Sequence, residues 1–202
     1  MTHSAASRNL SIEDVSRQAD EIAAVRERYP HIAVLHGAEV DILRDGRLDF
    51  PDHVLRNFDI VLASLHDRAT HSPDELLHRY AEAMKHPLVS IITHPMNRPG
   101  PERPGYDLDV DRLFELAVET ATVLEVDGAP SHLDLEAPLA RRAVTAGVLL
   151  SVDSDAHRTE MLERHMSLAL LIARRGWVER NDVLNTRSLK ELRQCVAAKR
   201  NG

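Results

Sequence analysis

Cysteine is almost missing from this chain of 202 residues, where Cys195 stands alone. A single thiol forms no intramolecular disulfide, and such sparing use fits a reducing cytoplasm. No apolar run approaches the roughly 18 residues that a bilayer-spanning helix needs, so no membrane segment is expected. Met1-Thr-His-Ser is not how a signal peptide opens. Aromatic residues are scarce too, with three Tyr, three Phe and one Trp. Basic charge is in deficit: 25 Lys and Arg against 32 Asp and Glu give a formal charge of −7. That balance argues against a general basic surface for nucleic acid, while leaving room for a local basic groove. Gly-x-Ser-x-Gly, P-loop and Gly-x-Gly-x-x-Gly patterns are also missing, which leaves serine hydrolase and nucleotide-fold readings without support.

Histidine, by contrast, is abundant, with twelve in the chain. Hydrophobic residues at 43% and charged residues at 28% are ordinary for a soluble protein. The length suits one domain with a sizeable core, and residues 1–202 show no linker, low-complexity segment or repeat that would divide it. Short apolar runs alternate with amphipathic stretches. Strands are predicted at 32–35 with 39–43, then 60–65, 88–93, 122–126 and 148–152. Between them the patterns are helical. Ser11 caps a helix running to about Arg28, with Asp14 at the third position, and Ser72-Pro-Asp-Glu75 is a capping box with proline at the first helical position. Further helices are predicted over 109–120, 135–146 (closed by Gly147), 161–174 and 188–199. Strands separated by single helices imply βαβ units, a parallel sheet and the α/β class.

The stretch SVDSDAH (151–157) follows an apolar run and places Asp153, Asp155 and His157 on alternate residues. In extended chain these side chains point the same way, and carboxylates crowded without a partner are costly to bury. A metal cation is the obvious neutralising group. Comparable chemistry ends the other strands: Glu39 and Asp41, His66 with Asp67, Thr93-His94-Pro95, and Glu125 with Asp127. In parallel α/β sheets and barrels the C-terminal strand ends gather at one face. Imidazoles combined with carboxylates suit divalent Zn, Mn or Fe. Two such ions ~3.5–4 Å apart activate a water and clamp phosphoryl oxygens.

The segments HGAEVDILRDGRLDF (36–50), ASLHD (63–67), THPMNRP (93–99), LEVDGAPSHLDL (124–135), SDAH (154–157), ARRGW (173–177) and LNT (184–186) resemble the PHP (polymerase and histidinol phosphatase) family. They look most like the PHP domain at the C-terminus of bacterial family X DNA polymerases and like related phosphoesterases. The resemblance spans essentially the whole chain. It implies a distorted (β/α)7 TIM-like barrel whose C-terminal rim holds up to three divalent metal ions. It implies Glu39 as a bridging ligand, His66 and His94 as its partners on one ion, Asp155 on a second and His157 on a third. His3, in Thr2-His3-Ser4, resembles the end of a Thr-Asp-His motif and would join the third ion. Arg98 falls where the family contacts substrate phosphate. His66 and Asp155 are the residues expected at the centre of catalysis.

One departure stands out. The family opens with a His-x-His strand and a further histidine, neither of which is present here, so about five of seven strands are expected in an N-terminally truncated barrel. A mis-assigned start, a fragment of a longer polymerase-like protein and a degenerate remnant that pairs with another chain all account for it. The exposed barrel edge predicts a homo-oligomer. Two functions follow. One is a metal-dependent phosphoesterase in which a metal-activated water hydrolyses a small phosphomonoester or a DNA 3′ end. The other is a non-catalytic PHP-like structural or interaction domain. Plainer roles are assigned to His31, His53, His71, His78, His86 and His165 as solvated or capping residues, and to His36 as structural. His132, in a loop after a strand, is either a substrate contact or an ordinary loop histidine. Asp41, Asp127 and Asp153 are read as supporting groups as readily as ligands.

Overall fold

The computed structural model describes residues 10–66, 71–98 and 104–201. Five strands form one sheet: β1 (Gly37–Asp41), β2 (Ile60–Ser64), β3 (Val89–Ile92), β4 (Val123–Asp127) and β5 (Leu150–Asp153). They lie side by side in chain order, and every pairing is parallel. That arrangement needs a crossover between each pair of strands. The crossovers contain α2 (Asp52–Leu55), α3 (Pro73–Lys85), α4 (Val110–Glu119) and α5 (Ala137–Thr145). Helix α1 (Ile12–Arg28) precedes the sheet, and α6 (Leu162–Arg175) and α7 (Leu189–Asn201) follow it. β3 and β4 are buried at every position, as strands covered on both faces must be. The parallel α/β class predicted from the sequence is thus present. Beyond β5, Val183 forms a single parallel bridge with Leu150. Among the described residues no helix is long and apolar enough to cross a membrane.

Local chemistry explains where the elements start. Ser11 Oγ accepts from the Asp14 amide at 3.1 Å while Asp14 accepts from the Ser11 amide at 2.9 Å, and Ser72 with Glu75 repeats the arrangement at the start of α3. Residues 32–35 do not form the strand their apolar character predicts. Side chains engage the backbone there and just after it instead: Arg26 Nε donates to the Val34 carbonyl at 2.8 Å, and Asp59 accepts from the His36 amide at 2.8 Å. The strand begins only at Gly37, where a Cβ would sit 2.9 Å from a methyl of Ile60.

The core between sheet and helices is aliphatic, with Tyr80, Phe58 and Phe114 its largest fully buried side chains. Tyr80 satisfies its hydroxyl by donating to the Pro95 carbonyl at 2.7 Å, just past β3. At Gly128 a Cβ would lie 2.0 Å from the carbonyl oxygen of His165, so α6 passes against the chain leaving β4. These packings leave the C-terminal strand ends facing one cleft.

Candidate metal centre

The cleft has a volume of about 730 Å³ and is lined by Glu39, Asp41, His66, His94, His132, Asp155 and His157, among others. Glu39 lies on β1, and its Oε1 is the hub of one group. It accepts from the Thr93 hydroxyl at 3.0 Å, and lies 3.0 Å from His94 Nε2 and 3.2 Å from His66 Nε2. One ligand atom from each of Glu39, His66 and His94 falls within 4.8 Å of the others. The second nitrogen of His66 is held by Asp41 Oδ1 at 2.5 Å, and Ser64 Oγ stands 3.2 Å from it. Asp41 therefore orients an imidazole, one of the two roles its sequence position allowed.

His94 is set by the backbone as much as by its side chain. Its φ of 27° is unusual for a residue with a Cβ, as is the 42° of Asp155, and both turns follow directly on a strand. Glu125 on β4 accepts from the His94 amide at 2.8 Å and Asp134 accepts from the Met96 amide at 2.8 Å, which fixes this turn from the neighbouring strand and loop. The rings of His94 and His132 stack with centroids 4.6 Å apart and planes 12° apart.

A second group lies beyond this stack. Asp127, His132 and Asp155 each offer one ligand atom within 4.8 Å of the other two. Asp127 ends β4 opposite Asp153 of β5, and its Oδ1 accepts from the Ala129 amide at 2.6 Å. The turn 129–133 then folds His132 back over the strand end, with the His132 and Leu133 amides both donating to the Ala129 carbonyl at 2.9 and 2.8 Å.

The electrostatics are those of a site with surplus negative charge. Burial opposes ionisation of Glu39, but the hydrogen bonds from His66 and His94 outweigh it and hold the carboxylate well below its usual range. Burial likewise opposes the charging of His66, yet the bonds to Asp41 and Glu39 raise its pKa to about 10. His94 is raised as well: burial is overcome by Glu39. On the other side, burial pushes Asp127 up to about 7 and raises Asp155, where the charge of Glu39 adds to the effect. Burial and then the neighbouring His94 and His66 charges lower His132 to about 4. Carboxyls whose ionisation burial opposes, set beside imidazoles, are groups that a divalent cation would let ionise, so the donor set fits a metal centre.

Other expected residues lie elsewhere. His3 and Asp67 are outside the described residues. The His157 side chain is 80% exposed at the rim, with Nδ1 3.6 Å from Asp155 Oδ1. Arg98 is turned toward Glu136, with Nη1 3.1 Å from its carboxylate, and lines a smaller hollow with Leu133, Ala137 and Ile172. His36 is buried, contacts Gln18 at 3.1 Å and packs edge-on against Phe58, a structural role. His165 was expected away from the rim. It lines the cleft instead, with Nδ1 2.9 Å from the Ser154 carbonyl, because the close approach at Gly128 brings α6 over the site. Thr93 stands in the sequence only as part of the strand end Thr93-His94-Pro95 and Asp134 only within 124–135; the bonds they make to Glu39 and to the Met96 amide follow from the fold.

Fold and site together define an α/β protein with a histidine–carboxylate group at the C-terminal ends of parallel strands. No family model matches the chain. It is 40% identical to the DNA polymerase/3'-5' exonuclease PolX of Bacillus subtilis (strain 168) over 183 residues, 91% of this chain and 32% of that protein. It is 32% identical to a probable phosphatase of Caldanaerobacter subterraneus subsp. tengcongensis, over 67% of this chain and 55% of the relative. A probable phosphatase of Thermoanaerobacter sp. (strain X514) is 31% identical, over 79% of this chain and 66% of the relative. The chain thus spans less than two thirds of each of these proteins. With polymerase and phosphatase relatives both present, the chain belongs to the PHP family.

Proposed function

We propose that the chain is a metal-dependent phosphoesterase whose five-stranded sheet is part of a distorted PHP-type barrel. The observation that carries the reading is the convergence of Glu39, His66 and His94. These three would hold one ion, with Asp155 and the rim residue His157 contributing to further ions, and His3 assigned by resemblance alone. Divalent ions in such a site supply an activated water and a clamp for phosphoryl oxygens.

The chain's own residues do the positioning. Asp41 fixes the ring of His66, and the Thr93 hydroxyl orients Glu39, so the ligands are set before an ion arrives. The proton for the leaving oxygen comes from a rim histidine or aspartate. Relatives named as phosphatases support hydrolysis of a phosphate ester, and the acidic charge of −7 favours a small phosphomonoester or a DNA 3′ end presented by other parts of a larger protein. The lone Cys195 fits a cytoplasmic setting.

The test is Mn- or Zn-dependent hydrolysis of p-nitrophenyl phosphate and of a 3′-labelled oligonucleotide. Glu39→Gln should lower turnover by at least the roughly 10–100-fold that loss of a group merely orienting a ligand costs. No turnover of either substrate with ions demonstrably bound would sink the enzyme reading. One observation favours a second reading, a non-catalytic binding module: Arg98, the expected phosphate contact, is engaged by Glu136. Tight metal binding and structure without hydrolysis would support that alternative.

A further inference from the structure

We infer that Asp127, His132 and Asp155 form a second divalent-cation site, distinct from the Glu39–His66–His94 group. Asp127 and His132 are not among the ligands that the family resemblance implies, while Asp155 also lines a small hollow with Glu39 and His94. The inference uses the same cleft but does not depend on the chain being an enzyme.

The geometry brings the three donors together by three independent routes. Asp127 is placed by the β4–β5 register, His132 by the turn closed on the Ala129 carbonyl, and Asp155 by its left-handed backbone two residues past β5. Their donor atoms lie within 4.8 Å of one another. What points to a ligand is the state of two polar atoms on these residues. Asp127 is 0% exposed, yet its Oδ2 has no hydrogen-bond partner among the described residues, and neither has the buried Nδ1 of His132. A plain Asp–His hydrogen-bonded pair would satisfy both atoms, and here neither is satisfied. A buried carboxylate oxygen without a donor carries a desolvation cost that a coordinated cation would remove. The Ala129 amide already engages Oδ1, which holds the carboxylate in orientation.

The two groups also differ in hardness. Glu39 with two imidazoles is nitrogen-rich and suits zinc, whereas two carboxylates with one imidazole are oxygen-rich and suit manganese. The His94–His132 stack lies between them, one ring belonging to each group.

The experiment loads the metal-free chain of residues 1–202 with Zn²⁺ and Mn²⁺, counting ions by elemental analysis and reading bound Mn²⁺ by electron paramagnetic resonance. The expected result is one zinc and one manganese per chain. Asp127→Asn, which keeps the bond from Ala129, and His132→Gln should each weaken Mn²⁺ binding at least tenfold while retaining the zinc. Glu39→Gln should lose the zinc and retain the Mn²⁺ signal. Melting curves of the metal-free variants establish that each is folded, and either folded variant serves if the other is not. The proposal is overturned if wild type binds a single ion in total, or if the folded Asp127 and His132 variants bind Mn²⁺ as tightly as wild type. Two bound ions without hydrolysis would leave this site standing and remove only the phosphoesterase reading. Hydrolysis with a single bound ion would do the reverse.

Discussion

The 2.5 Å contact between His66 and Asp41 makes one imidazole the electrostatic pivot of the cleft. Burial alone would keep this ring neutral, but the bonds to Asp41 and Glu39 raise its pKa from 6.5 to about 10. A raised folded-state pKa contributes stability that is complete below pH 6.5 and is lost as pH rises through 10. Metal-free chain should therefore melt at progressively lower temperature between pH 7 and 10, and Asp41→Asn should flatten that dependence. Scanning calorimetry over the range checks both, and a wild-type profile as flat as the variant's would contradict the assignment. For His66 to ligate an ion, as proposed, the same proton would have to leave. Calorimetric titration with Zn²⁺ at pH 7 in buffers of different ionisation heat should show proton release, reduced in His66→Gln.

Helices α6 and α7 are each tied to the rest of the fold by a close, specific approach. Gly128→Ala would set a methyl 2.0 Å from the His165 carbonyl, so α6 must move outward. The expected cost is about 1–3 kcal/mol, as for overpacked cores, measured by urea unfolding. Because α6 carries His165 into the cleft wall, ion binding should weaken in parallel. On α7, the amine of Lys199 donates to the carbonyls of Met84 and Thr120, both at 2.8 Å, and to the Thr122 hydroxyl. Lys199→Met would leave these acceptors, two of them on the buried residues Met84 and Thr122, without their donor and cost on the order of 1–3 kcal/mol, read from the same unfolding curves. Such approaches mark the limit of what the chain discloses before folding. The capping residues Ser11 and Ser72, the buried runs of β3 and β4, and the strand-end residues Glu39, His66 and His94 were legible, since periodicity and capping are local. Residues 32–35 misled because an apolar run does not reveal that Arg26 occupies the Val34 carbonyl and Asp59 the amide of His36 just after it. His165 and the pairing of Arg98 with Glu136 were not legible, because both follow from how α5 and α6 pack rather than from any short pattern. Asp127 was visible as a polar strand end, but its role depends on a turn that returns His132 to it.

Among the described residues β1 and β5 stand at opposite ends of the sheet order, and beyond β4 the pairing of β5 is a single bridge to Val183. Unpaired strand edges template association, so self-association is the expected behaviour; a clean monomer in light scattering across a concentration series would contradict it. The strand order has a further consequence, for the time course of folding. Every ladder joins strands separated by a crossover, from Gly37 with Ile60 to Leu124 with Leu150, and the long-range tie from Lys199 to Met84 spans 115 residues. Loop closure must come before these contacts form, which slows a parallel sheet relative to its helices. Glu39, His94 and Asp155 meet only once β1, β3 and β5 have aligned. During refolding, ion uptake should lag behind the recovery of helical signal, and bound metal then becomes a clock for the final step of assembly.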